Sequence, residues 1–434
     1  MVVWTNHLRP QAAAASTTCL VLGAGVLGIS VGVALGTLWS QRPPKRSLIR
    51  SPRRTQLPKL SEAEIAALPY PPDVLPGGRD VETPYGCIKV FEWGPEDGEK
   101  VLLMHGISTP CVALSNLAEE LVARGHRVML FDFFGRGYSD TPLAVPFDLR
   151  LYTTQIMLVL ASSSLGWTGD DGFHLAGYSL GGGVAVSFAQ YFPHMVRSLV
   201  LVAPGGIIRS GHVGWRTRIL YSTGMLPEGL LQYLVRQRLL PRKSDTGSST
   251  ETKMAGEVVS SSNTGSSSSA GGKSKHKNSD ASGGSSFDNA ALSSRRPGHT
   301  VSSVMNWQLL HHEGFIPAFM SSIRFAPIYE CWSDWQALGQ LLAARRKTNS
   351  GDKGETTKGQ EEEERLPGLI GGKILLVLGA TDPVIDKEEL IHDATAALGE
   401  DGFEAILLDS GHELVMAKGK EVADLAVDFW AYQR

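Results

Sequence analysis

Short apolar runs recur along the chain, each closed by a small or polar residue. The run at 101–104 ends at His105, that at 128–131 at Asp132, and that at 173–176 at Gly177. The run at 199–202 stops just before Pro204, that at 374–378 at Gly379, and that at 405–408 at Asp409. Helix-length amphipathic stretches, such as 113–124 and 183–192, lie between them. A strand that is apolar throughout has both faces buried, and alternation with helices supplies the two covers of a parallel sheet. The pattern predicts a doubly wound α/β fold. Before these runs, Gly86–Trp93 alternates apolar and polar positions and reads as an antiparallel strand.

Two tracts break the pattern. Residues 243–300 are dominated by Ser, Gly, Lys, Asn and Thr, too polar to offset the entropy of ordering, so they are predicted disordered. Residues 347–366 are similar with a charged bias that includes four consecutive Glu at 361–364. Helix-like pieces at 215–240 and 302–340 flank the first tract. Together they form an insertion between the runs at 199–202 and 374–378, expected to be a helical cap split by a flexible loop. The organisation expected is then a tail at 1–18, a membrane helix at 19–39 and a basic Pro-rich linker at 40–80. A core follows in two parts, 81–205 and 367–434, with a cap at 206–346 and a charged loop at 347–366. No internal repeat is visible.

The composition, 42% hydrophobic and 20% charged with a formal net charge of −3, is that of an ordinary globular protein and gives no reason to expect nucleic acid as a partner. Four cysteines, Cys19, Cys87, Cys111 and Cys331, lack metal or redox spacing, so neither a metal nor a disulfide framework is expected. That favours a reducing compartment. The charge is unevenly spread. Residues 1–61 contain no Asp or Glu, yet carry Arg9, Arg42, Lys45, Arg46, Arg50, Arg53, Arg54 and Lys59. Within them, 19–39 holds no charged residue and is long enough to cross a hydrocarbon core of roughly 30 Å. A cleavable signal, a buried helix or a mitochondrial targeting segment are the competing readings. Leu38-Trp39-Ser40-Gln41 makes a poor cleavage site, and the basic flank argues against a core helix. The expectation is an uncleaved single-pass anchor in the endoplasmic reticulum or mitochondrial membrane. The heavier basic cluster after the run turns the C-terminal side to the cytosol. Gly28, Gly32 and Gly36 recur every four residues and suggest self-association through a small-residue face, although membrane helices are often simply glycine-rich.

The strongest chemical signal is Gly177-Tyr178-Ser179-Leu180-Gly181, which follows an apolar run and opens an amphipathic stretch. A nucleophile on a sharp strand-to-helix turn has a strained backbone and small neighbours two residues away. A serine hydroxyl needs a base, and His412 in Ser410-Gly411-His412-Glu413 lies just beyond the last run. His105, His174, His194, His311, His312 and His392 are the alternatives; His174 falls within a run, and His194 follows Pro193. The base needs an acid on its other nitrogen. Asp382, after the run at 374–378, gives the chain order Ser, Asp, His. Asp386 and Glu388 are nearby but belong to the expected following helix, and the loop after 199–202 offers no carboxylate. An oxyanion requires two donors. The N–H of Leu180, after the nucleophile, and of Ile107, in His105-Gly106-Ile107-Ser108, are assigned.

These residues resemble the α/β-hydrolase superfamily of the serine esterase and lipase type: His105-Gly106, the stretch 132–140 (Asp-Phe-Phe-Gly-Arg-Gly-Tyr-Ser-Asp), Gly177 to Gly181, Asp382 and Gly411-His412. The resemblance covers roughly 85–205 and 370–434, and the region between more loosely. It implies an eight-stranded, mostly parallel sheet, an acyl-enzyme mechanism and no cofactor, with 132–140 a structural loop supporting the elbow. The long Ser/Gly-rich tract in the cap departs from the family pattern and leaves the substrate pocket unread. The expectation is a serine hydrolase acting on a small-molecule or lipid-like carboxylic ester. Hydrolysis of a C–C bond, thioester or amide by the same triad stays open, as does a non-catalytic binding protein of this fold.

Overall fold

The apolar runs assemble into one eight-stranded sheet in a computed structural model that describes residues 47–169, 172–212, 219–224, 226–240, 284–349 and 368–432. In chain order the strands are β1 (Gly78–Thr83), β2 (Gly86–Trp93), β3 (Lys100–Met104), β4 (Arg127–Phe131), β5 (Phe173–Tyr178), β6 (Val196–Val202), β7 (Ile374–Gly379) and β8 (Phe403–Leu408). Across the sheet they stand in the order β1-β2-β4-β3-β5-β6-β7-β8. The β1–β2 and β2–β4 pairs are antiparallel and every other neighbouring pair is parallel. Strands β5 and β7 are buried along their whole length, which is why their sequences are apolar on both faces. Edge strand β8 is largely open to solvent.

Helices Ser115–Ala123 and Gly419–Tyr432 pack together as one cover. Leu180–Tyr191 packs with Leu149–Ala161 and with Trp332–Asn349, which in turn meets Lys387–Leu398. This corrects the expected cap boundary at 346. Trp332–Asn349 belongs to the helices of the core, held so closely against Lys387–Leu398 that a Cβ at Gly339 would lie 2.2 Å from the Ala397 carbonyl oxygen. The described cap comprises Glu228–Leu239, Gly284–Asn289, Val301–His311 and Phe315–Phe325.

Two further expectations change. The expected linker at 40–80 is, from residue 48 on, packed against the core. Leu48–Ile49 bridges antiparallel to Thr141–Pro142, Leu57, Tyr70 and Leu75 are buried, and the Ser51 N–H donates to Asp140 Oδ1 at 2.7 Å. A few apolar side chains seated singly in hollows need no periodicity, so the pattern did not report them. Residues 284–300, within the predicted disordered tract, form the helix Gly284–Asn289 and a bridge between Ala291 and Thr300. Phe287 and Leu292 are buried there and supply the apolar area that the Ser/Gly composition hid.

The expected membrane helix at 19–39, with Gly28, Gly32 and Gly36, lies outside the described residues, as do 241–283 and 350–367. Among the described residues no helix is long and apolar enough to cross a membrane.

Candidate active site

The elbow is built from the end of β5 and the start of the helix Leu180–Tyr191. Between them Ser179 takes φ 53° and ψ −118°, a left-handed conformation rare for any residue with a side chain. The turn is tight enough to exclude side chains on either flank. A Cβ at Gly177 would stand 2.3 Å from the Gly181 carbonyl oxygen, and one at Gly181 would stand 2.4 Å from that of Met104. The Ser179 N–H donates to the Val202 carbonyl at 3.0 Å, and the Gly181 N–H to that of His105 at 3.1 Å. The strained residue is thus held from both neighbouring strands.

Three distant loops converge on this turn. His412 follows β8, and its Nε2 lies 3.1 Å from Ser179 Oγ. Its Nδ1 lies 2.8 Å from Asp382 Oδ2, on the loop after β7. A carboxylate only accepts, so the bond runs from Nδ1–H to Asp382, which leaves Nε2 able to accept from the serine hydroxyl. Asp382 Oδ1 also accepts the N–H groups of Val384 at 2.7 Å and Ile385 at 3.0 Å. Burial acts to raise the Asp382 carboxyl, but the charge and hydrogen bond of His412 and these two amides outweigh it. Its pKa is therefore held below the ordinary carboxylate value.

The alternatives that the sequence left open take other places. Asp386 caps the helix Lys387–Leu398 by accepting from the Glu389 N–H at 3.0 Å, and the Glu388 side chain is mostly exposed beside Lys387. His174 stacks on Trp430 and shares a 2.7 Å hydrogen bond with Ser198. His312 is buried against the Ser139 carbonyl, where burial lowers its pKa to about 4.

His105 is part of the frame. Its ring lies 2.7 Å from the Gly106 carbonyl through Nδ1 and accepts the Phe133 N–H at Nε2 at 2.8 Å. Burial drives its pKa down to about 3, so the ring stays neutral in this bridge. The stretch 132–140 supports the same region. Buried Asp132 accepts from the N–H groups of Cys111 and Tyr138 and from the Tyr70 hydroxyl. Arg136 Nε donates to the Ile107 carbonyl at 2.7 Å. Ile107 and Leu180 both line the cavity beside Ser179. Leu180 is the first residue of its helix, so its N–H has no acceptor within that helix.

Sequence reasoning missed three contributors. The Tyr178 hydroxyl donates to the His412 carbonyl at 2.7 Å, and its ring lies 5.2 Å from the imidazole. Glu413 accepts from the Gly411 N–H and the Ser410 hydroxyl, folding the loop that carries His412. Phe287 stands 5.7 Å from the imidazole, ring centre to ring centre. Tyr178 was in view as the second residue of the elbow motif. Phe287 was legible only as a lone aromatic ahead of Ala290-Ala291-Leu292 in a polar tract. Among the described residues no cluster of three His, Cys, Asp or Glu side chains is placed to hold a metal ion.

Comparisons with known proteins agree with this architecture. The family described as alpha/beta hydrolase fold matches residues 100–418. An uncharacterized protein of Mycobacterium tuberculosis is 30% identical over 144 residues, 33% of this chain and 40% of that protein. Lipase 1 of Psychrobacter immobilis is 28% identical over 120 residues, 28% of this chain and 36% of the lipase. The chain therefore spans well under half the length of these curated relatives. The crystal structure of a bacterial membrane phospholipase A superposes with a TM-score of 0.50 at 15% identity, covering 98% of this chain and 99% of that one, a likeness of fold. With the strand order, the elbow and the family match together, the chain belongs to the α/β-hydrolase fold family.

Proposed function

We propose that this protein is a serine hydrolase that cleaves a carboxylic ester through an acyl-enzyme. The observation that carries the reading is His412 held between Ser179 at 3.1 Å and Asp382 at 2.8 Å. Ser179 Oγ attacks the ester carbonyl while His412 Nε2 takes its proton. The carbonyl oxygen becomes an oxyanion, for which Ile107 and Leu180 offer backbone N–H groups. Collapse breaks the ester bond as the imidazolium returns the proton to the departing alcohol. Water, deprotonated by the same imidazole, then attacks the acyl-serine, and the acid leaves with Ser179 regenerated. Asp382 holds the ring in the productive tautomer and steadies its transient positive charge.

Stopped-flow hydrolysis of a nitrophenyl ester tests this reading. An initial burst of nitrophenol approaching one equivalent of protein is expected where deacylation is slow, with both burst and turnover lost in Ser179→Ala. Turnover that survives Ser179→Ala would overturn it.

The reading extends to tethering by 19–39, supported by the uncharged length of that run and its basic flank. The full chain should stay with membranes through alkaline carbonate washing, whereas a chain starting at residue 47 should be released. Release of both would remove the anchor from the account.

A further inference from the structure

The cavity beside Ser179 has an empty volume of about 570 Å³, its open mouth included. Its walls are chiefly Ile107, Ile208, Phe287, Ile323, Ile328 and Val384. Among the described residues, none that lines it is Lys, Arg, Asp or Glu; its polar side chains are hydroxyls and the His412 imidazole. An ion drawn into such a chamber loses its water and gains no counter-charge. A hydrocarbon gains instead, by about fourfold in equilibrium for each methylene buried while space lasts.

Phe287 stands in the cap-side wall of that space. It is 5% exposed and faces the His412 ring. Its helix, Gly284–Asn289, is anchored behind it. The Ala290 N–H donates to the Phe287 carbonyl at 3.2 Å, the Val301 N–H to that of Ala290 at 3.0 Å, and the Ser302 hydroxyl to that of Asp288 at 2.7 Å. The backbone that carries the ring is therefore tied to the helix Val301–His311, and the ring itself is buried. Ile323, from the helix Phe315–Phe325, also lines the chamber.

We propose that this chamber selects uncharged esters with an aliphatic chain and that Phe287 sets the chain length it accepts. The inference rests on the ester-hydrolase reading above. Phe287 is a specificity-determining wall and takes no part in the chemistry, so its replacement redistributes kcat/KM among substrates.

The test uses the full chain with nitrophenyl butyrate, nitrophenyl octanoate and the anionic nitrophenyl hemisuccinate. The unaltered protein is expected to favour butyrate over hemisuccinate by roughly a hundredfold or more, the consequence of an unpaired charge. Phe287→Ala should raise the octanoate-to-butyrate ratio of kcat/KM roughly fifteenfold, about two methylenes' worth of new burial. Phe287→Trp should lower it, which guards against a truncated variant that fails to fold. A fluorophosphonate probe run on each variant reports whether the nucleophile is intact. Variants that label normally but leave the ratio unmoved in both directions would overturn the inference, as would hemisuccinate turned over as well as butyrate. An unaltered protein that never labels would fail earlier, removing the hydrolase reading and this inference with it.

Discussion

At the scale of single residues, function is concentrated where local rules are broken. Ser179 has φ 53° although it carries a side chain, and that strain is held in place by Gly177 and Gly181. A Gly181→Ala substitution would force a methyl group to within 2.4 Å of the Met104 carbonyl oxygen. It should cost about 1–3 kcal/mol in chemical denaturation, as overpacking does; a stability matching the unaltered protein would contradict the tight turn. Asp382 keeps its charge because His412 and two backbone amides favour it. Asp382→Asn leaves the shape almost unchanged but reverses the donor logic at Nδ1. It should reduce kcat/KM by about 10⁴ with circular dichroism unchanged. A loss below about tenfold would assign the orienting role to another group. The pH dependence of stability from Asp382 has a definite sign. Its folded pKa lies below the unfolded value, so its contribution is present above about pH 4 and is lost as the pH falls through the folded value.

At the scale of elements, the cap segment Gly284–Asn289 has a pH dependence of the opposite sign. Burial raises the Asp288 carboxyl to about 7. The folded chain then holds a proton that the unfolded chain releases above about pH 4, so this stability is full in acid and declines until about pH 7. Asp288→Asn removes the titrating group. The drop in melting temperature between about pH 5 and pH 8 should be smaller in the variant than in the unaltered protein; an equal drop would show that Asp288 does not contribute. The same segment separates two deletions. Removing 245–280 should leave the melting temperature nearly unchanged, because closure entropy varies slowly with loop length. Removing 245–298 takes buried Phe287 and Leu292 with it and should lower it by several degrees. Equal melting temperatures would mean that the segment adds nothing to the fold. What the sequence disclosed about elements follows from how each is stabilised. Strand β2 and the central runs were legible because burial on one or both faces imposes a pattern along the chain. The packed region 48–80 was not, because its contacts are made by isolated side chains such as Tyr70, whose partner Asp132 lies far along the chain.

At the scale of the molecule, the sheet brings the ends of β5, β7 and β8 to one edge, where the Ser179 turn and two loops more than two hundred residues further along share one chain of hydrogen bonds. Ser179, Asp382 and His412 were readable because each follows an apolar run, and parallel strands place all such ends together. The chamber was not readable, because its walls come from separate parts of the core and the cap whose mutual placement no local pattern records. Phe287 and Ile323 are the clearest cases. The most direct measurement on the whole account is peptide mass spectrometry after fluorophosphonate treatment, with the labelling rate compared in His412→Ala. The adduct should sit on Ser179, and loss of the imidazole should slow its formation by about 10³-fold or more. An adduct on another residue, or a rate that ignores His412, would contradict the claim that these three side chains act as one unit.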